Sequence, residues 1–232
     1  MESNKQKVAG GLFWSYGERI MAQLVSLVVS IVLARLLDPE NYGVISIVMI
    51  FITFCDAIVS GGFGNAIVQK KDADELDVNT MLCCSVATSV LLYIIIFCTA
   101  PYIASFYNMP IIRPIIRVLG LRLLISGVNS IQRAWIQKRM LFKRFFISTS
   151  FGTIISAVVG ISMAYMGKGA WALVGQYLTN SFIDTTVLLI TNDWKPRLQF
   201  SWKRAKEMLS YGWKVLVTTV VYTIEGDLRS LI

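Results

Sequence analysis

Apolar residues fall in long runs separated by short polar stretches, and the polar residues inside those runs recur at helical spacing. Runs over 12–36, 42–68, 80–100, 115–136, 146–166 and 170–190 each hold about the 20 residues that a helix needs to cross a bilayer. A further run begins near residue 211. The pattern predicts an all-α fold, a polytopic transmembrane helix bundle of six spans with the start of a seventh. It divides the chain into a six-helix lobe over 1–190, a polar amphipathic linker over 191–210, and a seventh span opening over 211–232. Pro39 and Pro101 stand where the first and third runs stop, as suits a residue that interrupts the helical hydrogen-bond ladder. The stretch 102–117 is less regular, with Pro110, Pro114, Arg113 and Arg117, and predicts an interfacial turn and a half-helix leading into the fourth span. Only Gly167, Lys168 and Gly169 separate the fifth and sixth runs, so those helices are expected to be antiparallel neighbours. The first run is too long for a signal peptide, contains Glu18 and Arg19, and ends in Arg35-Leu36-Leu37-Asp38-Pro39 rather than in a small-residue cleavage site.

Composition turns this pattern into a membrane assignment. Hydrophobic residues make up 55% of the 232 and charged residues 16%, with a mean hydropathy of +0.62. Soluble domains carry about 25% charged residues, so a soluble globular fold is excluded. There is no histidine, and the four cysteines, Cys55, Cys83, Cys84 and Cys98, lie in apolar runs without a C-x-x-C pair. Zinc, haem and Cys/His catalysis therefore lack their ligands and bases, and no metal or cofactor is expected. The net charge of +8 invites a nucleic-acid reading, which requires a basic soluble face. Sorting lysines and arginines by loop removes it: fourteen fall in segments on the side of the N-terminus and four on the opposite side, with four more within or at the ends of spans. The positive-inside rule then orients the chain with its N-terminus cytoplasmic, and the basic loops face anionic membrane lipid.

A charge in hydrocarbon costs about 2.5–3.5 kcal/mol on insertion scales, so polar residues within spans must face protein or water. In the first span Ser15, Arg19, Gln23, Ser26 and Ser30 share a face, with Glu18 beside it. The second carries Thr53, Asp56 and Ser60; the fourth Arg122, Ser126, Asn129 and Arg133; the sixth Gln176, Asn180 and Asp184. Two arrangements fit these stripes. One is a bundle lining a hydrated cavity; the other is a set of structural pairs such as Glu18 with Arg122 or Arg19 with Asp184. The third span has no charge and is expected to be a lipid-facing support. The fifth repeats Gly152, Ser156, Gly160 and Ala164 at four-residue spacing, the small-residue pattern of close helix packing.

Several segments together resemble a known family. Leu12-Phe13-Trp14-Ser15 with Glu18-Arg19, then Ala34-Arg35-Leu36-Leu37-Asp38-Pro39-Glu40-Asn41-Tyr42-Gly43, is similar to the start of the Wzx-type polysaccharide flippases of the multidrug/oligosaccharidyl-lipid/polysaccharide exporter superfamily. Gly62-Phe63-Gly64-Asn65-Ala66, Arg117-Val118-Leu119-Gly120-Leu121 and Gly169-Ala170-Trp171-Ala172-Leu173-Val174 follow in the same order. The resemblance implies a transporter, not an enzyme, that moves undecaprenyl-diphosphate-linked oligosaccharide across the bacterial cytoplasmic membrane by alternating access. It also implies that this chain is one lobe of a larger carrier, with other polysaccharide-assembly membrane proteins as possible partners. The family usually has an acid before the glycine pair of span two; Ser60 stands there, and Asp56 is the nearest acid. On this reading Arg19, Arg122, Gln23, Asn129 and Asn180 are candidates for the cavity that binds the substrate, because guanidinium forks suit phosphate. Glu18, Asp56 and Asp184 are candidates for binding or releasing a coupling H⁺ or Na⁺.

Two rival functions follow from the same residues. A multidrug or cation antiporter of the same superfamily shares the architecture. A membrane enzyme of polysaccharide assembly is suggested by Asp72-Ala73-Asp74, which matches the D-x-D of sugar-nucleotide transferases but lies in a short loop without a nucleotide-binding domain around it. The plainer reading of that loop is a solvated turn that helps to start the third span.

Overall fold

The structure is a computed structural model that describes residues 2–70, 72–197, 199–210, 212–213 and 218; in the first helix, side chains are described at Gly17 and from Ile20 onward. The described residues form helices and turns with no strand: α1 (Glu2–Leu36), α2 (Pro39–Gln69), α3 (Glu75–Phe106), α4 (Ile112–Leu119), α5 (Leu121–Lys138), α6 (Phe142–Tyr165) and α7 (Ala170–Thr191), then a short helix over 202–210. This is the all-α membrane bundle that the runs predict. Among the described residues four helical stretches are long and apolar enough to cross a membrane: α2, α3, α4 with α5 (Ile112–Lys138), and α6. The apolar part of α1, Ile20–Leu36, is shorter. α7, at 22 residues, is long enough but interrupted by Gln176, Asn180 and Asp184. The expected seventh span falls almost wholly outside the described residues.

The two prolines behave differently. Pro39 opens α2 in its first turn, where a missing N–H is no loss. Pro101 does not end α3, contrary to the sequence expectation; the helix runs through it to Phe106. The carbonyl that loses its donor is that of Phe97, four residues earlier. The Arg117 side chain supplies a replacement, donating from Nε to that oxygen at 3.4 Å while its guanidinium lies 4.1 Å from the Phe97 ring centroid. Proline is tolerated in a membrane helix when a neighbour satisfies the freed carbonyl in this way. The chain then turns through Asn108, at a left-handed φ of 54°, into the half-helix α4. Gly120 joins α4 to α5.

α5 is the central element, packed on α2, α3 and α7, while α1 lies along α6. One core cluster joins Val29 and Leu33 of α1 to Val48 and Ile52 of α2, Ile115 and Leu119 of α4, and Leu173 of α7. A second, toward the other end of α2, joins Phe63, Ile67, Val78, Met81, Ile131 and Trp135 to Trp194, Ala205 and Met208. Within the segment 191–210, expected as a linker, Trp194, Ala205 and Met208 are buried in this cluster, so 194–210 packs as a strap against the bundle. The outer surface is apolar: Leu24, Leu27, Leu91, Ile94, Phe151, Val158 and Phe182 are exposed, an arrangement suited to a lipid solvent.

α6 and α7 pack along the small-residue stripe, where Gly152, Ser156, Gly160 and Ala164 are all buried. A Cβ on Gly152 would stand 3.2 Å from the Asn180 carbonyl oxygen and 3.5 Å from the Asp184 Cβ. Gly152→Leu is therefore expected to push the helices apart and destabilise the bundle by about 1–3 kcal/mol, the usual range for overpacking. Earlier heat-induced aggregation of the detergent-solubilised protein would register it, and an unchanged aggregation temperature would refute the close approach.

Candidate functional site

The polar stripes of α2, α5 and α7 meet around one cavity of about 310 Å³. Asp56 and Ser60 come from α2; Arg122, Ser126, Asn129, Ser130 and Arg133 from α5; Asn180, Ser181 and Asp184 from α7. Helical geometry does this directly, since steps of three and four keep each set on one face. Of the predicted site residues, the structure brings together Asp56, Arg122, Asn129, Asn180 and Asp184. Gln23 does not join them: it is exposed on α1, as are Ser26 and Ser30, because α1 packs on α6 through Val29 and Leu33 rather than through its polar face. The side chains of Glu18 and Arg19 lie outside the described residues.

Two hydrogen-bond networks organise the walls. The Ser126 hydroxyl donates to the Asp56 carboxylate, while Ser60 turns back to the Asp56 backbone carbonyl at 2.7 Å. Deeper along α5, Asp184 Oδ2 accepts from Asn129 Nδ2 and from Arg133 Nη2, each at 2.9 Å, and Asn129 Nδ2 also reaches Thr185 Oγ1 at 2.9 Å. Asp184 is buried and its Oδ1 has no partner. The Arg133 guanidinium also lies 5.5 Å from the Phe145 ring centroid. Arg122 lines the cavity, with no ion pair among the described residues.

Sequence reasoning placed Arg133 on the polar row of the fourth span but not among the candidate site residues. Its guanidinium is the ion-pair partner of Asp184, the position suggested for Arg19. The signal was present, since Arg133 continues the row Arg122, Ser126, Asn129. Ser130, Ser181 and Thr185 were missed for a different reason: each sits one residue from a stripe member, about 100° around its helix, and a strict row omits it.

A second polar cluster lies where α2 ends and α3 begins. Asp74 and Asp77 form a reciprocal cap: the Asp77 N–H donates to Asp74 Oδ1 at 2.9 Å, and the Asp74 N–H to Asp77 Oδ2 at 3.2 Å. Asp77 is buried, yet it receives Lys70 at 2.9 Å and Arg204 at 3.0 Å. Above it, Asn79 Oδ1 accepts the Arg197 N–H at 3.2 Å and Thr80 Oγ1 accepts the Ser201 N–H at 3.3 Å. Trp194 packs on Trp135 at 6.4 Å between ring centroids. These bonds fasten the strap, so the half of α3 expected to face only lipid is buried at its start. Asp74, one of the D-x-D pair, is a helix cap and an Arg204 partner.

The Arg204 side chain, and then the Asp77 N–H, hold the Asp74 carboxyl below its ordinary value of 3.8. A lowered folded-state pKa stabilises the docked strap above the ordinary value, and the contribution is lost as the pH falls through the lowered one. Pepsin cleavage around Phe200 and Leu209 is thus expected to accelerate below pH 3.8, with Arg204→Gln cleaved readily already at the top of that range. Identical profiles for the two proteins would contradict the assignment.

Comparison with known proteins gives a consistent set of matches. A family model described as "Polysaccharide biosynthesis protein" matches residues 32–232. The lipopolysaccharide biosynthesis protein WzxC of Escherichia coli (strain K12) is 22% identical over 99% of this chain and 47% of its own length. The succinoglycan biosynthesis transport protein ExoT of Rhizobium meliloti (strain 1021) is 21% identical over 90% of this chain and 43% of its own. The teichuronic acid biosynthesis protein TuaB of Bacillus subtilis (strain 168) is 22% identical over 91% and 44%. The chain spans about half the length of these relatives. No solved structure matches it.

Proposed function

The chain belongs to the polysaccharide biosynthesis protein family, and on that premise we propose that it forms the first lobe of a flippase that carries a diphosphate-linked oligosaccharide on its polyprenyl anchor across the bacterial cytoplasmic membrane. The observation that carries the reading is the convergence of Arg122, Asp56, Asn129, Asn180 and Asp184, from three helices, on one polar cavity inside an apolar bundle. Sugars and phosphates need hydrogen-bonding groups that hydrocarbon lacks, and residues of this kind are rare in spans unless they line a path for solute. Arg122 offers phosphate the planar, bidentate fork of a guanidinium. Asp56 and Asp184 supply the acids through which H⁺ or Na⁺ would be coupled to the movement. The N-terminus is cytoplasmic on this reading, with the basic loops on the same side.

Reconstituting the full-length protein in proteoliposomes tests the proposal. Translocation of undecaprenyl-diphosphate-linked oligosaccharide with no efflux of cationic dyes is expected; dye efflux without lipid translocation would instead make it an antiporter.

A further inference from the structure

α5 presents an arginine to the cavity near each of its ends, and the two are held differently. Arg122 has no ion pair among the described residues, whereas Arg133 is paired with Asp184. That pair is only half made. A carboxylate and a guanidinium can join through two parallel hydrogen bonds, but Arg133 reaches Asp184 Oδ2 through Nη2 alone, and Asp184 Oδ1 is buried without a partner. Oδ2 is also shared with Asn129. The Arg133 side chain keeps 42% of its surface exposed while that of Asp184 keeps 7%, so the acid is fixed in the wall and the guanidinium is open to an incoming anion.

Resting on the reading of this cavity as the path of a phosphate-bearing lipid head, we infer that Asp184 is an internal competitor for an anion station at Arg133, and that Arg122 is the second station on the same helix face. A phosphate offers several oxygens to the guanidinium where Asp184 offers one, so it can open the pair. Asp184 then stays held by Asn129, which remains bonded to Thr185. When the pair re-forms, the anion is displaced and the unpaired Arg122 receives it. Binding at Arg133 is weakened by the fraction of time the pair is closed, and that weakness is what lets the head leave.

The test uses the full-length protein with farnesyl diphosphate as the soluble probe. Asp184→Asn removes the competing charge and keeps an acceptor for Asn129. It is expected to tighten probe binding about tenfold, the scale of one charge-assisted contact, and in proteoliposomes to lower both KM and kcat for the lipid-linked oligosaccharide. Loss of a purely structural contact would weaken binding instead; unchanged or weaker binding by a variant that elutes like the wild type overturns the competitor role. A second measurement needs no variant. Arginine modification of the wild type by phenylglyoxal, read by peptide mass spectrometry, is expected to be blocked at Arg133 and at Arg122 by the probe, and unprotected Arg133 overturns the station there. If the wild type neither binds the probe nor moves the lipid, the transport reading fails and this inference with it. Normal transport with unprotected Arg133 sinks the inference alone.

Discussion

Arg122→Ala in the full-length protein is expected to lower translocation of the lipid-linked oligosaccharide about a hundredfold while leaving the amount of protein in the membrane unchanged. The size follows from two charge-assisted hydrogen bonds to phosphate at roughly 1.5 kcal/mol each, with about 1.4 kcal/mol for each factor of ten. The lack of a folding defect follows from the geometry. Arg122 lines the cavity and closes no ion pair among the described residues, so its removal leaves none of their acids uncompensated. Arg122→Lys should recover part of the loss, because lysine keeps the charge but not the fork. Arg19→Ala is expected on sequence grounds to behave like Arg122→Ala. Proteoliposome flux decides the matter, and wild-type rates in Arg122→Ala would take this residue off the substrate path.

Asp77→Ala should have the largest effect on stability, about 3 kcal/mol, through a different mechanism. It removes one half of the α3 cap, typically worth about 1 kcal/mol, and withdraws the carboxylate shared by Lys70 and Arg204. Losing one partner of a buried pair costs about 3–5 kcal/mol; here the two cations are partly exposed and regain water, which lowers the penalty. The strap should come away, freeing the backbone that is bonded to Asn79 and Thr80, so that trypsin cuts after Arg197, Lys203 and Arg204 faster than in the wild type. Asp77→Asn keeps an oxygen for the cap and should fall between the two. A trypsin pattern in Asp77→Ala identical to the wild type would show that Asn79, Thr80 and Trp194 hold the strap unaided.

The helices, the tight link between α6 and α7 and the half-helix α4 were legible in the chain, because long apolar runs and glycine or proline breaks report on backbone geometry directly. So was most of the cavity: the rows through Asp56, Arg122, Asn129, Asn180 and Asp184 needed only the helical period. What the sequence could not carry was which polar face turns toward which neighbour. The α1 row reads like the others, yet α1 meets α6 through Val29 and Leu33 and leaves Gln23 exposed. Pro101 was misread for a related reason. Its cost depends on a donor sixteen residues downstream, Arg117, that reaches Phe97 only in the folded bundle. The strap was hidden because its fastenings, Asn79 to Arg197 and Thr80 to Ser201, lie far apart along the chain.

The pairing of α6 with α7 also bears on how the lobe enters the membrane. α7 carries Gln176, Asn180 and Asp184 in its 22 residues, a poor candidate to partition into lipid by itself. α6, by contrast, is apolar enough to span, and its glycine stripe meets Gln176, Asn180 and Asp184 at close range. With only the four residues Met166 to Gly169 joining them, the two follow one another closely out of the ribosome. The two are therefore expected to insert as one hairpin, with α6 covering the polar face of α7. Asp184, the acid that pairs with Arg133, would then enter beside the small residues of α6 rather than alone against hydrocarbon.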